Sequence, residues 1–156
     1  MYLWLVLLHI AGVVVFLFGH GSSALISFRL RDLRDAAGVA EHLRDSHAAN
    51  RLSWIGLVLT LIGGFGAAIV GGQLGSAWVL GSIVVLAVVF VVMFAVGASY
   101  YYGLRDALEK VEKGEAPGFS ESELVARLHT RRPEILAAVG GIGLVVILYL
   151  MVMKPG

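Results

Sequence analysis

Apolar residues run almost unbroken through four stretches of the chain, residues 2–28, 52–70, 77–101 and 135–153, and charged residues collect between them. About 20 apolar residues in helical conformation cross the roughly 30 Å hydrocarbon core of a bilayer. The pattern therefore predicts an all-α protein, a four-transmembrane-helix bundle forming one integral membrane domain over residues 1–156.

The segments between the spans differ in length and rhythm. Residues 71–76 form a short turn. Residues 29–51 keep a helical period through Leu30, Leu33, Ala37, Ala40 and Leu43, interrupted by Gly38. This predicts that the first helix extends into water before the chain returns near Asn50 and Arg51. The third connection starts helically with Leu104, Leu108 and Val111, breaks between Gly114 and Gly118 around Pro117, and restarts at Ser120. Ser120 with Glu123 forms a capping-box pattern ahead of Leu124, Val125 and Leu128, and Pro133 suits the first turn of the fourth span. Both long connections read as short amphipathic helices near the membrane surface.

Within the first span the polar pattern is narrow. His9, Gly12, Phe16, Gly19, His20, Ser23 and Ser27 fall on one arc of a helix, whereas Leu5, Val6, Val13, Leu17 and Leu25 point elsewhere. Small and polar residues in a membrane helix turn toward neighbouring helices or water rather than lipid, so this stripe is the inward face. The second span carries Ser53, Gly56, Thr60, Gly63, Gly64, Ala67 and Gly71, the third Gly81, Ala87, Gly97 and Ala98, and the fourth Ala137, Gly140, Gly141 and Gly143. Two uses suit these small residues: close helix packing, and room for a flat ligand opposite a histidine.

Composition supports the membrane assignment: 58% of residues are apolar, 15% are charged, and 20 are glycine. No cysteine is present, which excludes disulfides and thiolate metal sites. A net charge of +1 without a basic patch excludes a nucleic-acid partner. No Lys or Arg precedes Arg29, so the first apolar stretch is expected to be a retained span rather than a signal peptide. Eleven of the twelve Lys and Arg residues lie in the connections after spans one and three. The positive-inside rule then places both connections in the cytoplasm and both termini outside.

No Asp, Glu, Lys or Arg lies in the interior of a span, and Glu134 sits at a boundary. That argues against a proton- or ion-coupled transporter and against an enzyme using paired acid–base groups. His9 and His20 remain. One reading is a neutral imidazole hydrogen-bonded to a hydroxyl or a backbone carbonyl across a helix interface. The other is ligation, since imidazole holds haem iron between the helices of a bundle. The two histidines lie three turns, or roughly 16 Å, apart on one helix, so they cannot both bind one iron. Each would serve its own haem, with the second ligand supplied by another subunit, by a methionine such as Met93, or absent. Homodimerisation would supply histidine pairs. Copper is the other metal to weigh, through His9 with Met1, Met151 and Met153. His42, His47 and His129 read as solvated.

The stretch Leu8-His9-Ile10-Ala11-Gly12, followed by Phe16-Leu17-Phe18-Gly19-His20-Gly21, resembles the first span of a group of small four-span bacterial membrane proteins. That group includes the copper-resistance D-like proteins and the membrane protoporphyrinogen oxidases. The resemblance implies a bacterial inner-membrane protein with His9 as the family histidine, and haem, porphyrin or copper handling as its activity. The oxidases pair this histidine with a lysine in a later span. Spans two to four here contain none.

The expectation is therefore a membrane protein binding haem b or a related porphyrin, for electron transfer or haem handling. Its site would comprise His9, His20, Gly12, Phe16, Gly19 and Ser23, with His9 and His20 as metal ligands. The chain would be embedded in the bilayer as a homo-oligomer or as a subunit of a membrane complex. The alternatives are a structural or assembly subunit without its own chemistry, and a protein for copper uptake or passage.

Overall fold

The computed structural model describes residues 1–33, 36–113 and 120–155. Five α-helices are described: α1 (Tyr2–Arg29), α2 (Ala36–Val70), α3 (Ala77–Glu112), α4 (Glu121–Leu128) and α5 (Arg132–Met153), with a 3₁₀ turn at Leu30–Asp32 after α1. Four of them, α1, α2, α3 and α5, are long and apolar enough to cross a membrane. Among the described residues there is no strand. The expected break between Gly114 and Gly118 lies outside the described residues.

The main correction concerns the first long connection. The first helix does not run on to Asn50. It ends at Arg29, the chain tightens through Leu30–Asp32, and Leu33 is extended at φ −84° and ψ 143°. The residues after the turn belong instead to α2, which continues unbroken from Ala36 through the second span. The turn there lets Leu30 and Val39 face each other, and both are fully buried together with Leu124 and Leu128 of α4. The helical rhythm in 29–51 is real, but it belongs mostly to the returning helix.

This cluster is the largest apolar core in the described chain, and it lies at the ends of the spans rather than within them. In the spans, large side chains such as Trp4, Val14, Phe18, Ile69 and Val145 are exposed. Lipid is as apolar as leucine, so apolar burial does not drive membrane helices together. At the water-facing end it does, and each fully buried leucine contributes roughly 1.5–3 kcal/mol. Helix α4 is only eight residues long, too short to persist alone. Ser120 caps it, accepting from the Glu123 amide while the Glu123 carboxylate accepts from the Ser120 amide.

Within the membrane the helices form two antiparallel pairs. In the first, α1 and α2 approach until backbone meets backbone. A Cβ on Gly19 would stand 2.6 Å from the Ser53 amide nitrogen, one on Gly12 would stand 2.8 Å from the Leu59 carbonyl carbon, and those on Gly56 and Gly63 would overlap the amide nitrogens of Phe16 and His9. Gly12 and Gly19 are seven residues apart, as are Gly56 and Gly63, and that spacing keeps each pair on one seam of two gently supercoiled helices. The Ser23 and Ser46 hydroxyls, 2.9 Å apart, extend the seam toward the basic connection.

In the second pair, α3 and α5 meet less closely. Side chains from one helix settle on glycines of the other: Val89 on Gly143, Met93 on Gly140, Leu136 near Gly97 and Leu150 near Gly81. The turn from α2 to α3 ends α2 in a Schellman arrangement, with the Gln73 amide donating to the Ala68 carbonyl at 2.8 Å and Gly72 at φ +66°.

The two pairs touch at three named places. Trp54 meets Phe90 edge-on at 5.9 Å between ring centroids, His20 approaches Gly140, and Arg31 reaches α5. The Arg31 guanidinium donates to both Glu134 carboxylate oxygens and to the Thr130 carbonyl. Pro133 occupies the first turn of α5, as its position predicts.

Candidate functional site

Helix α1 carries both span histidines, and the structure gives them different surroundings. His9 sits in the α1–α2 seam, where its Nδ1–H donates to the Thr60 carbonyl at 2.8 Å. Gly64 makes the approach possible, because a Cβ there would stand 2.8 Å from His9 Nδ1 and 3.0 Å from Cε1. The Thr60 hydroxyl is engaged elsewhere, donating to the Gly56 carbonyl at 2.8 Å. With Nδ1 as donor, a neutral His9 keeps its lone pair on Nε2.

His20, three turns along the same helix, lies at the edge of the seam and faces the other pair. Its ring stacks on Phe16, one turn back, with centroids 5.3 Å apart and planes 10° from parallel. Among the described residues it has no hydrogen-bond partner. Its Nε2 lies 3.7 Å from where a Cβ of Gly140 would stand, and Met93 Cε lies 2.6 Å from that same point. Groups from α1, α3 and α5 thus meet where the two helix pairs join.

The stripe predicted on span one is therefore divided. Gly12 and Gly19 are buried, and they face the α2 backbone directly. Phe16 brings its backbone to Gly56 and its ring to His20. Ser23 is part of the serine contact across the seam, and Ser27 is buried and donates to the Ser23 carbonyl. The structure brings His20 and Met93 together, and it leaves His9 and His20 separated along one helix.

Among the described residues no group of three or more His, Asp or Glu side chains could hold a metal ion. Met1 and Met153 are exposed. His42 and His129 each turn Nδ1 back to a carbonyl of their own helix, at Gly38 and Val125, and His47 is exposed.

Three partners escape a reading of the sequence. The Thr60 carbonyl has no side-chain signature, since every residue carries that acceptor. The Arg31–Glu134 pair joins positions 103 residues apart. Gly140 shows its small size in the sequence, but not that His20 and Met93 are its neighbours.

No curated protein and no solved structure matches the chain. A family model does, over residues 3–155, and so spans all four membrane helices. Its description speaks of a membrane protein, and it does not carry the copper-resistance D-like grouping that the first-span motif resembles. The four apolar helices and that match agree: the chain belongs to the family described as "Predicted integral membrane protein (DUF2269)".

Proposed function

We propose that this membrane protein binds haem b or a related porphyrin where its two helix pairs join, with His20 as an iron ligand. The reading makes it an electron-transfer or haem-handling protein. The observation that carries it is the position of His20 Nε2, uncommitted among the described residues and facing a helix that has only hydrogen at Gly140. The donor chemistry suits a porphyrin: a neutral imidazole with an aromatic ring stacked against it, and a thioether side chain nearby.

Bound haem would supply a one-electron couple. The chain's own residues do the rest. Phe16 holds the His20 ring in one orientation, and the apolar spans exclude water and lower the local dielectric, which is one of the protein's means of tuning such a couple. The α1–α2 seam keeps the supporting helix rigid. At the other end of α1, the bond from His9 to Thr60 fixes the tautomer with Nε2 as acceptor, the form a ligand needs. His9 is the ligand proposed for a second porphyrin toward the opposite leaflet.

The positive-inside rule favours the cytoplasmic side for the two basic connections and the outside for both termini, and the first-span resemblance suggests the inner membrane of a bacterium as the host.

The test is the visible spectrum of the full chain, purified in detergent from haem-replete cells. A Soret band that is lost or halved in His20→Ala is the expected result. A colourless wild-type protein that also fails to take up added hemin would sink the reading and move weight to a structural or assembly role.

A further inference from the structure

We infer that α4 is a clasp holding the two helix pairs together from their water-facing end, so that its release lets α1 part from α5 where His20 lies. The observation is which parts of the chain meet in the apolar core at the ends of the spans. Leu30 and Val39 belong to the first pair, to the turn after α1 and to α2. Leu124 and Leu128 belong to α4, which ends at Leu128 just before α5 begins at Arg132. Seating α4 therefore fixes the start of α5 against the end of α1. The Arg31 guanidinium completes the join, donating to the Thr130 carbonyl and the Glu134 carboxylate.

Within the spans the pairs are joined more lightly. The α1–α2 seam interlocks backbone with backbone, whereas the pairs meet through side chains, Trp54 edge-on to Phe90 and His20 near Gly140. Apolar contacts there gain little over contacts with lipid. Water is what rewards the burial of Leu124 and Leu128, so the hydrophobic effect can hold the pairs only where the chain leaves the bilayer. At the opposite end the turn at residues 71–76 ties α2 to α3. The pairs are thus hinged at one end and clasped at the other. The clasp is also the element built to come loose: α4 has eight residues and one cap, and it depends on its two leucines staying buried. Short elements held by few contacts open at a lower cost than core helices. His20 precedes Arg31 by three helical turns, roughly 16 Å, so an opening from this end reaches the junction that His20 lines.

The experiment measures spin-label distances by pulsed electron paramagnetic resonance in the full chain, reconstituted in phosphatidylcholine vesicles. The chain has no cysteine, so introduced pairs are the only labelling sites. Leu25→Cys with Ile135→Cys, exposed on α1 and α5, reports the separation between the helix pairs. Leu25→Cys with Ile62→Cys, exposed on α1 and α2, reports on the first pair alone. The clasp is released by Leu124→Ser with Leu128→Ser, and further by adding Arg31→Ala, with hydrogen exchange over residues 121–128 checking the release. The expected result is a Leu25–Ile135 distribution that broadens and moves to longer distance, more so in the triple variant, while the Leu25–Ile62 distance stays the same. An unchanged Leu25–Ile135 distance with α4 exchanging freely would overturn the clasp. So would a parallel shift of both distances, which would make α4 a support of the whole bundle, or an α4 that stays protected without its leucines. None of these distances depends on what binds at the junction, so the clasp stands or falls apart from the porphyrin reading.

Discussion

His9 of α1 donates its Nδ1–H to the carbonyl of Thr60 in α2, at 2.8 Å across the α1–α2 seam, and Gly64 leaves the space its ring occupies. A backbone carbonyl inside a helix already accepts one bond from its own turn and has a second lone pair to offer. The contact therefore satisfies a polar side chain in the membrane without disturbing α2. It follows that His9 and Gly64 should act as a unit. Gly64→Ala should displace the imidazole and cost stability in the wild type, yet cost little in a His9→Ala background. Unfolding of the four proteins in mixed micelles gives the coupling, expected on the order of 0.6–1.5 kcal/mol. Strict additivity would contradict the coupling between the His9 ring and the space at Gly64.

The α1–α2 seam makes a sharper prediction. Alanine normally improves a helix over glycine by about 1 kcal/mol. At Gly56 the new Cβ would meet the backbone of Phe16, which can give way only if the helices separate. Gly56→Ala should therefore lose on the order of 2 kcal/mol. Gly141 has nothing within 4 Å of its Cβ position, and Gly141→Ala should be neutral or gain up to about 1 kcal/mol. Denaturation followed by helicity compares the two, and equal effects would contradict the interlocked seam.

The Arg31–Glu134 pair ties the end of α1 to the start of α5. It is bidentate and partly exposed, with side-chain exposures of 23% and 48%. Water and salt screen such a pair, so it contributes little to stability. Arg31→Lys should recover little of the loss seen in Arg31→Ala, because an ammonium cannot reproduce the fork that also serves the Thr130 carbonyl. The charge-reversed double variant Arg31→Glu with Glu134→Arg should be more stable than either single reversal. Thermal unfolding at low and high salt measures this, with the difference shrinking as salt rises.

Helix α4 is held by one cap and two leucines. Ser120→Ala should weaken it by about 1 kcal/mol, and Leu128→Ala, at a side chain fully buried beside Leu30 and Val39, by roughly 2–5 kcal/mol. The four spans should survive both changes. Hydrogen exchange should accelerate over residues 121–128 in each variant while the span amides stay protected. Loss of protection throughout the chain would mean that α4 is integral to the membrane bundle.

Span number and approximate position were legible in the chain because hydrocarbon thickness acts on length and composition, which are properties of a sequence taken one segment at a time. The Ser120 cap and Pro133 were legible for the same reason, being set by neighbours within a few residues. The glycine periods showed that close packing had to occur. They could not show that α1 would seat on α2 and α3 on α5, since periodicity defines a face without naming its partner, and lipid rewards no particular choice by apolar burial. The turn at Leu33 depended on Leu30 and Val39 finding Leu124 and Leu128, about ninety residues further along the chain. The tertiary structure decided the two fates of the span-one histidines: it gave His9 to a backbone carbonyl and set His20 before Met93 and Gly140. Those contacts draw on three other helices, and only packing brings their atoms to one place.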